Sequence, residues 1–319
     1  MRREWPQSAS SYAQTVSDVV RSLDGVEAAR RAEAKPGHRA EVVRPRLEAL
    51  GALSLDPWGD EEESAAAALA VREAGRAVLP WPLVHVLSVP PPARDDCGGV
   101  HLVLGKCTAL DHADVVANPA AVDLRDGRVF SVTVDRHRHA PLDPFGCDVR
   151  LAGRETGPPL DGAVEMHLLL DAFWVAGALA EAAELALRHA RERRQFGVPI
   201  GRFGEIRWRI ADLLLARDSL DELARYTWWL MQAGQAGRAD LLALRVQMVE
   251  SAQSVLAHTH QILGAMGLCE EHDLAVIDRH LQPVLRRPVG RMGSTALLTG
   301  RVRQDGFAAL FPVPARPHR

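Results

Sequence analysis

The sequence predicts a mainly α protein with a small β domain, and three observations carry that expectation. Residues 160–300 hold long segments with a 3.6-residue apolar period and short connections, the pattern of an antiparallel helical bundle. Residues 1–95 are alanine-rich and helix-like, with Gly and Pro as stops. Between them, 96–155 switches to short β-rich runs broken by turn residues. The division expected is a helical domain over 1–95, a sheet domain over 96–158, and a four-helix bundle over 159–319 that ends in a proline- and arginine-rich tail.

In chain order, 11–23 carries Val16, Val19, Val20 and Leu23 on one stripe. Residues 40–50 form a second short helix that Gly51 closes as a C-cap. Residues 61–78 open with Glu61, Glu62 and Glu63, charges suited to a helix N-terminus, and stop at Pro80-Trp-Pro. Gly98 and Gly99 precede a run beginning at Val100. Val115-Val-Ala and 129–135 read as further strands, with Asp126-Gly127 as a hairpin-type turn, for five or six short strands in all. The bundle segments are 164–193, 205–233, 240–266 and 271–286. The third shows its stripe at Leu241, Leu244, Met248, Ala252, Val255, Thr259 and Ile262. The tail over 307–319 reads as loosely ordered or partner-bound.

The 319 residues exceed what a single core usually organises, so two or three packed units are expected. Hydrophobic content of 47% and charged content of 25% are those of a soluble globular protein. A net charge of −3 and a pI near 6.5 argue against nucleic acid and membrane surfaces. No apolar leader follows Met1, and no run of about 18 apolar residues is present, so neither a signal peptide nor a membrane span is expected. Cys97, Cys107, Cys147 and Cys269 are scattered without a CxxC pair, the pattern of reduced, buried thiols in a cytoplasmic protein. No metal site is expected: His137 and His139 are too few ligands and read as a polar loop, and His258 and His260 face different ways on a helix. The basic run over 188–194 lacks the patterned aromatics of a nucleic-acid site.

The stretch over 191–213 joins two long helical patterns. A helix ends in Arg188, His189, Arg191, Arg193 and Arg194, Gly197 and Pro199 break it, and Ile206, Ile210, Leu213 and Leu214 restart the period. This Arg193-Arg-Gln-Phe-Gly-Val-Pro-Ile200 joint resembles the signature of the acyl-CoA dehydrogenase family; the alternative is an ordinary helical hairpin with a basic turn. A second stretch, Gln261-Ile-Leu-Gly-Ala-Met-Gly267, is similar to the family's Gln-Ile-x-Gly-Gly-x-Gly segment and follows at the matching distance, with Asp278-Arg279 after it. Leu47-Glu-Ala-Leu-Gly51 and the later Glu73-Ala-Gly-Arg76 are similar to the family's N-terminal helical domain.

The resemblance implies an acyl-CoA dehydrogenase fold, FAD as cofactor, and an oxidoreductase that introduces an α,β double bond into an acyl-CoA thioester. It assigns Arg193 to the flavin pyrophosphate, Gln195 and Phe196 to the flanking contacts, and Gln261 and Gly264 to the segment that meets FAD across a dimer. Gly204 stands where the family has a contacting glutamine, and Ala265 replaces a glycine. The Thr-Glu-Pro…Gly-Ser-Asp loop and Trp-Ile-Thr/Ser strand that hold the flavin ring and thioester are missing, so the middle domain is reduced. Where the family places its glutamate base, this chain reads Arg287-Pro-Val-Gly290. Glu165 is the one carboxylate near the alternative base position on the first bundle helix. It matches better an acid that helps hold CoA, and its bland reading is a solvated first-turn glutamate.

Keeping residues that face a neighbour's FAD while lacking the ring, CoA and base elements implies a heteromer. The pattern resembles the short subunit of the α2β2 steroid-CoA dehydrogenases of bacterial cholesterol and steroid side-chain degradation. A full-length acyl-CoA dehydrogenase-like partner, a bulky steroid acyl-CoA substrate and an electron-transfer partner are then implied. The alternatives are a stand-alone flavin oxidase or monooxygenase of the same fold, and a non-catalytic helical scaffold without flavin.

Overall fold

The computed structural model describes residues 4–138, 140–153 and 157–305. Helices come first: α1 (Gln7–Ser22), α2 (Glu27–Ala34), α3 (Arg44–Ala49), α4 (Glu61–Arg76) and α5 (Leu83–Leu87). Asp60 caps α4, its carboxylate accepting from the backbone N–H groups of Glu62 and Glu63. Gly51, at φ +69°, closes the α3 segment as expected. A turn of π-helix over Arg39–Val43 precedes α3, and α2 falls where no helix was expected.

Five strands follow: β1 (Val100–Val103), β2 (Ala109–Asp111), β3 (Ala120–Asp123), β4 (Val129–His137) and β5 (Gly146–Gly153). They form one sheet in the order β1-β3-β4-β5-β2. β1 runs parallel to β3, in register Val100↔Ala120, and the other pairs are antiparallel. Gly127, at φ +73°, turns the β3–β4 hairpin. The run at Val115 is a turn rather than a strand, and the pairing passes to Ala120 instead. β1 and β3 are buried along their whole length, whereas β4 is mostly exposed.

The rest is helical: α6 (Ala163–Glu192), α7 (Gly204–Gln232), α8 (Arg238–Leu263), α9 (Asp273–Arg286) and α10 (Arg291–Asp305). A short hairpin, β6 (Arg194–Gln195) with β7 (Val198–Pro199), sits between α6 and α7. The expected four bundle helices are present and α10 adds a fifth; the tail over 307–319 lies outside the described residues. α6 is the axis of the fold. It is long and apolar enough to span a bilayer, yet 89% of its apolar window is buried in the protein, as a core helix requires.

α4 packs against α6 so closely that only glycine fits at the crossing. A Cβ on Gly177 would stand 1.9 Å from the Arg72 carbonyl oxygen, and one on Gly75 would stand 2.0 Å from that of Trp174. Elsewhere α2 is tied to α9. Arg30 reaches Asp273 at 3.2 Å, and Glu33 accepts from Arg279 at 2.8 Å and pairs with His280 at 2.7 Å.

Candidate functional site

Two places concentrate chemistry. The first is the α6–α7 joint. The Arg193 N–H donates to the His189 carbonyl, and its own carbonyl accepts from Ile200, which fixes the exit from α6. Phe196 and Gly197 lie at φ +51° and +80°, the left-handed pair that a two-residue hairpin demands. Phe196 is pushed outward and is 93% exposed, edge-on to Phe203 at 6.2 Å. Arg191, Arg193 and Arg194 form no ion pair among the described residues, at the negative end of a 30-residue helix. Several arginines elsewhere are paired, as Arg279 is with Glu33 and Arg39 with Asp114.

The Gly-rich stretch lies at the same end of the bundle. Gly264 ends α8 at φ +60°, ψ −138°, with nothing within 4 Å of where a Cβ would be, so its backbone is open to close approach. Gln261, Met266 and Leu268 around it are exposed. His189 feels the charges of Arg193 and of His272, and His272 those of Arg188 and His260, which places both stretches on one face. Glu165 is elsewhere. It accepts from Arg238 at 2.6 Å, is partly buried, and is neither free to act as a base nor simply solvated.

The second place is internal, where α5, the sheet, α6 and α9 meet. His85 on α5, His101 on β1, Asp111 on β2, and His167 and Asp171 on α6 converge there, with Arg287 after α9. The His85 ring lies 4.4 Å from that of His101 and 5.0 Å from that of His167, centroid to centroid. Arg287 is bidentate to Asp143, at 2.8 and 3.0 Å, and stands 3.6 Å from Asp111. The position where the family resemblance puts a base therefore holds a cation locked to two carboxylates.

Burial sets the charge states. It pushes His85 and His167 down to about 4, against the pull of Asp111. Burial and the neighbouring His85 hold His101 well below the ordinary histidine range, and burial with Arg39 does the same for His112. Burial lifts Asp171 to about 7, opposed by Arg245. Asp111 is held below the carboxylate range in spite of burial, by Arg287 and then His85. The imidazoles are thus neutral at neutral pH and Asp111 is ionised.

A pH dependence follows. Each depressed histidine takes up a proton on unfolding between its folded value and 6.5, so its contribution is complete above 6.5 and is lost as pH falls toward 4. Asp171 runs the other way between 3.8 and about 7, one group against four. With a chelator present, the urea midpoint should be lower at pH 5 than at pH 7; an equal or higher midpoint at pH 5 would contradict these protonation states.

Sequence reading missed this centre because its residues come from four elements with no shared spacing. His101, an imidazole inside an apolar β run, was the one available signal. The cavity beside it, lined by Trp81, Phe145, Trp174 and Val284 among others, measures about 40 Å³. That is room for an ion or a few waters, not for an acyl chain.

A long helical hairpin with a cationic joint, packed on a small mixed sheet and an N-terminal helical layer, defines a helical flavin-dehydrogenase fold. Residues 169–292 match the family model described as "Acyl-CoA dehydrogenase, C-terminal domain". Acyl-CoA dehydrogenase IpdE2 of Mycobacterium tuberculosis (strain ATCC 25618 / H37Rv) is 27% identical over 292 residues, 84% of this chain and 89% of the relative. Among solved structures, the ChsE4-ChsE5 complex from Mycobacterium tuberculosis superposes with a TM-score of 0.78 at 15% identity, over 95% of this chain and 99% of that one. Butyryl-CoA dehydrogenase from Megasphaera elsdenii gives 0.73 at 13% identity, over 95% and 100%. Residues 169–292 thus match the acyl-CoA dehydrogenase C-terminal domain, and the chain as a whole is similar to members of that family.

Proposed function

We propose that this chain is the short subunit of a heteromeric, FAD-dependent acyl-CoA dehydrogenase. It faces the cofactor at a subunit interface, while a full-length partner of the same family supplies the acyl pocket and the base. One observation carries the reading: where α5, the sheet, α6 and α9 meet, His85, His101, Asp111 and Arg287 close the interior and leave pockets of only about 40 and 30 Å³, the wider clefts of about 480–610 Å³ lying elsewhere. Neither a bulky acyl chain nor a free carboxylate has a place there. The likeness to the ChsE4-ChsE5 complex fits a two-chain assembly, and that to the Tcur3481-Tcur3483 steroid ACAD fits a steroid acyl-CoA substrate; on this reading the chain is built from units 1–95, 96–158 and 159–319, works in the cytoplasm and passes electrons to a separate carrier.

The residues at the joint suit FAD. FAD held by Arg193, Gln195, Phe196, Gln261 and Gly264 would supply a hydride acceptor for the substrate β-carbon, with the α-proton going to a base on the partner. Arg193 offers a planar, unneutralised fork matched to a pyrophosphate. Phe196 presents an exposed aromatic face beside it, with Gln195 between them. Gly264 lets backbone approach without a Cβ in the way, and Gln261 adds an amide on the same face. These groups bind and orient; none of them moves a proton.

The test is co-expression with a full-length acyl-CoA dehydrogenase-like partner, followed by flavin counted per complex. The chain alone should be colourless and the complex yellow. Arg193→Lys should weaken flavin retention without changing assembly. Arg193→Ala should weaken it further, by about 2 kcal/mol or roughly 30-fold. A flavin-loaded, active homo-oligomer of this chain would mean a stand-alone enzyme, a colourless complex would mean a scaffold, and full retention in both variants would make the joint purely structural.

A further inference from the structure

We propose that His85, His101 and Asp111 form a binding site for a first-row divalent cation, with Zn²⁺ as the best-matched ion. The donor atoms of these three side chains all lie within 4.8 Å of one another. Zinc holds imidazole nitrogen and carboxylate oxygen at about 2.0–2.2 Å, which sets tetrahedral donors about 3.3 Å apart. The set closes around an ion by side-chain rotations of about 1 Å. Two imidazoles and one carboxylate form the donor set of an open site, in which the fourth position stays free. The pocket that all three side chains line measures about 30 Å³, which is large enough for a water.

A second observation points independently to a ligand. His101 is 1% exposed, and neither of its ring nitrogens has a hydrogen-bond partner among the described residues. His85 Nδ1 and His167 Nδ1 are likewise unpartnered. Three buried imidazoles facing one another with idle nitrogens are costly unless something engages them. A cation bound by His85 and His101 removes most of that cost.

The surroundings tolerate a dication. Arg287 is the nearest cation, but its fork is committed to Asp143, and Asp111 and Asp143 together outweigh it by one negative charge. Its contact with Asp111 orients that carboxylate from the outer shell. A second cluster of ligand type, Asp114, His137 and Cys147, differs in kind: Asp114 is bidentate to the buried Arg39, at 3.1 and 2.5 Å. Burial and Asp114 also push the Cys147 thiol up to about 12. That cluster carries no proposal and serves as a control.

The experiment uses the full chain, co-expressed with its partner if solubility requires it, stripped with a chelator and titrated with Zn²⁺ and with Co²⁺. The expected result is one metal per copy of this chain, a visible Co²⁺ spectrum, and a rise in Tm on Zn²⁺ addition. Asp111→Asn and His101→Gln should each weaken Zn²⁺ binding by about 100-fold and abolish the Co²⁺ bands, while His137→Ala leaves both unchanged. If His101→Gln fails to fold, Asp111→Asn and His85→Gln decide the matter. Less than a tenth of an equivalent on the wild type, or unchanged binding in the folded variants, overturns the site. These readouts do not depend on flavin or turnover, so they stand or fall separately from the heteromer reading.

Discussion

Gly177→Ala is expected to lose about 3 kcal/mol or more of stability, and to leave little folded protein at physiological temperature. The added methyl would meet the Arg72 carbonyl oxygen at 1.9 Å, far inside the 3.0 Å that real Cβ atoms respect. Its obstacle is backbone on a buried helix, which cannot rotate away. α4 and α6 would have to part by roughly 1 Å, opening a core to which α4 gives Ala67, Ala68, Val71 and Ala74 and α6 gives Phe173 and Ala176. Alanine's better helix propensity returns only about 1 kcal/mol. Gly75→Ala meets the mirror-image clash with Trp174 and should fail in the same way. Gly204→Ala, at a helix start with open space around it, should be neutral or slightly stabilising. Thermal unfolding of the three variants checks this, and a Gly177→Ala midpoint within a few degrees of wild type would refute the crossing.

The next largest effect falls on Arg245, a cation 1% exposed on α8. Its Nη2 donates to the carbonyls of Arg287 at 2.7 Å, Val289 at 3.1 Å and Leu285 at 3.4 Å, so one guanidinium gathers the chain leaving α9. Its Nη1 lies 3.8 Å from Asp171. Arg245→Ala should cost about 3–5 kcal/mol, the scale for removing one partner of a buried charged pair. Arg245→Met keeps much of the volume and separates packing from charge. Without the guanidinium, burial lifts Asp171 further above about 7, so the variant goes on losing stability with rising pH after the wild type has levelled. The deficit of Arg245→Met should therefore be larger at pH 8 than at pH 6. A deficit that is flat with pH would show that Asp171 does not sense Arg245.

The helical layers were legible because α6, α7 and α8 each repeat apolar residues over many turns, and a long periodic signal is hard to mistake. The joint was legible too, since Gly197 and Pro199 break the period. The β6–β7 hairpin within it was not, because two residues per strand carry no alternation. α2 escaped because Ala28, Ala29 and Ala32 bury a face too small to read as a stripe, and α10 because Gly293 and Gly300 resemble loop residues. Val115 read as a strand from β-branched content alone, whereas pairing with β1 and β4 selected Ala120. The likeness to the acyl-CoA dehydrogenase family was legible from two stretches that lie at one end of the bundle. The histidine–aspartate centre was not, since α5, β1, β2 and α6 each contribute a residue or two that looks unremarkable along the chain.

The ties between α2 and α9 have a consequence for how the chain matures. Arg30 and Asp273 are 243 residues apart, and Glu33 and His280 are 247 apart. At a synthesis rate of about 5–20 residues per second, the first helices emerge about 10–50 s before their partners on α9 exist. During that interval Ala28, Ala29 and Ala32 have nothing to pack on, and Arg30 and Glu33 lack their distant partners. α6 is translated in the same window and meets at once the α4 that crosses it at Gly75 and Gly177, but the face that α8 covers stays open until residues 238–263 are made. The nascent chain thus passes through a stage in which its longest apolar helix is covered on one flank alone, a stage at which holdase chaperones would bear on its yield.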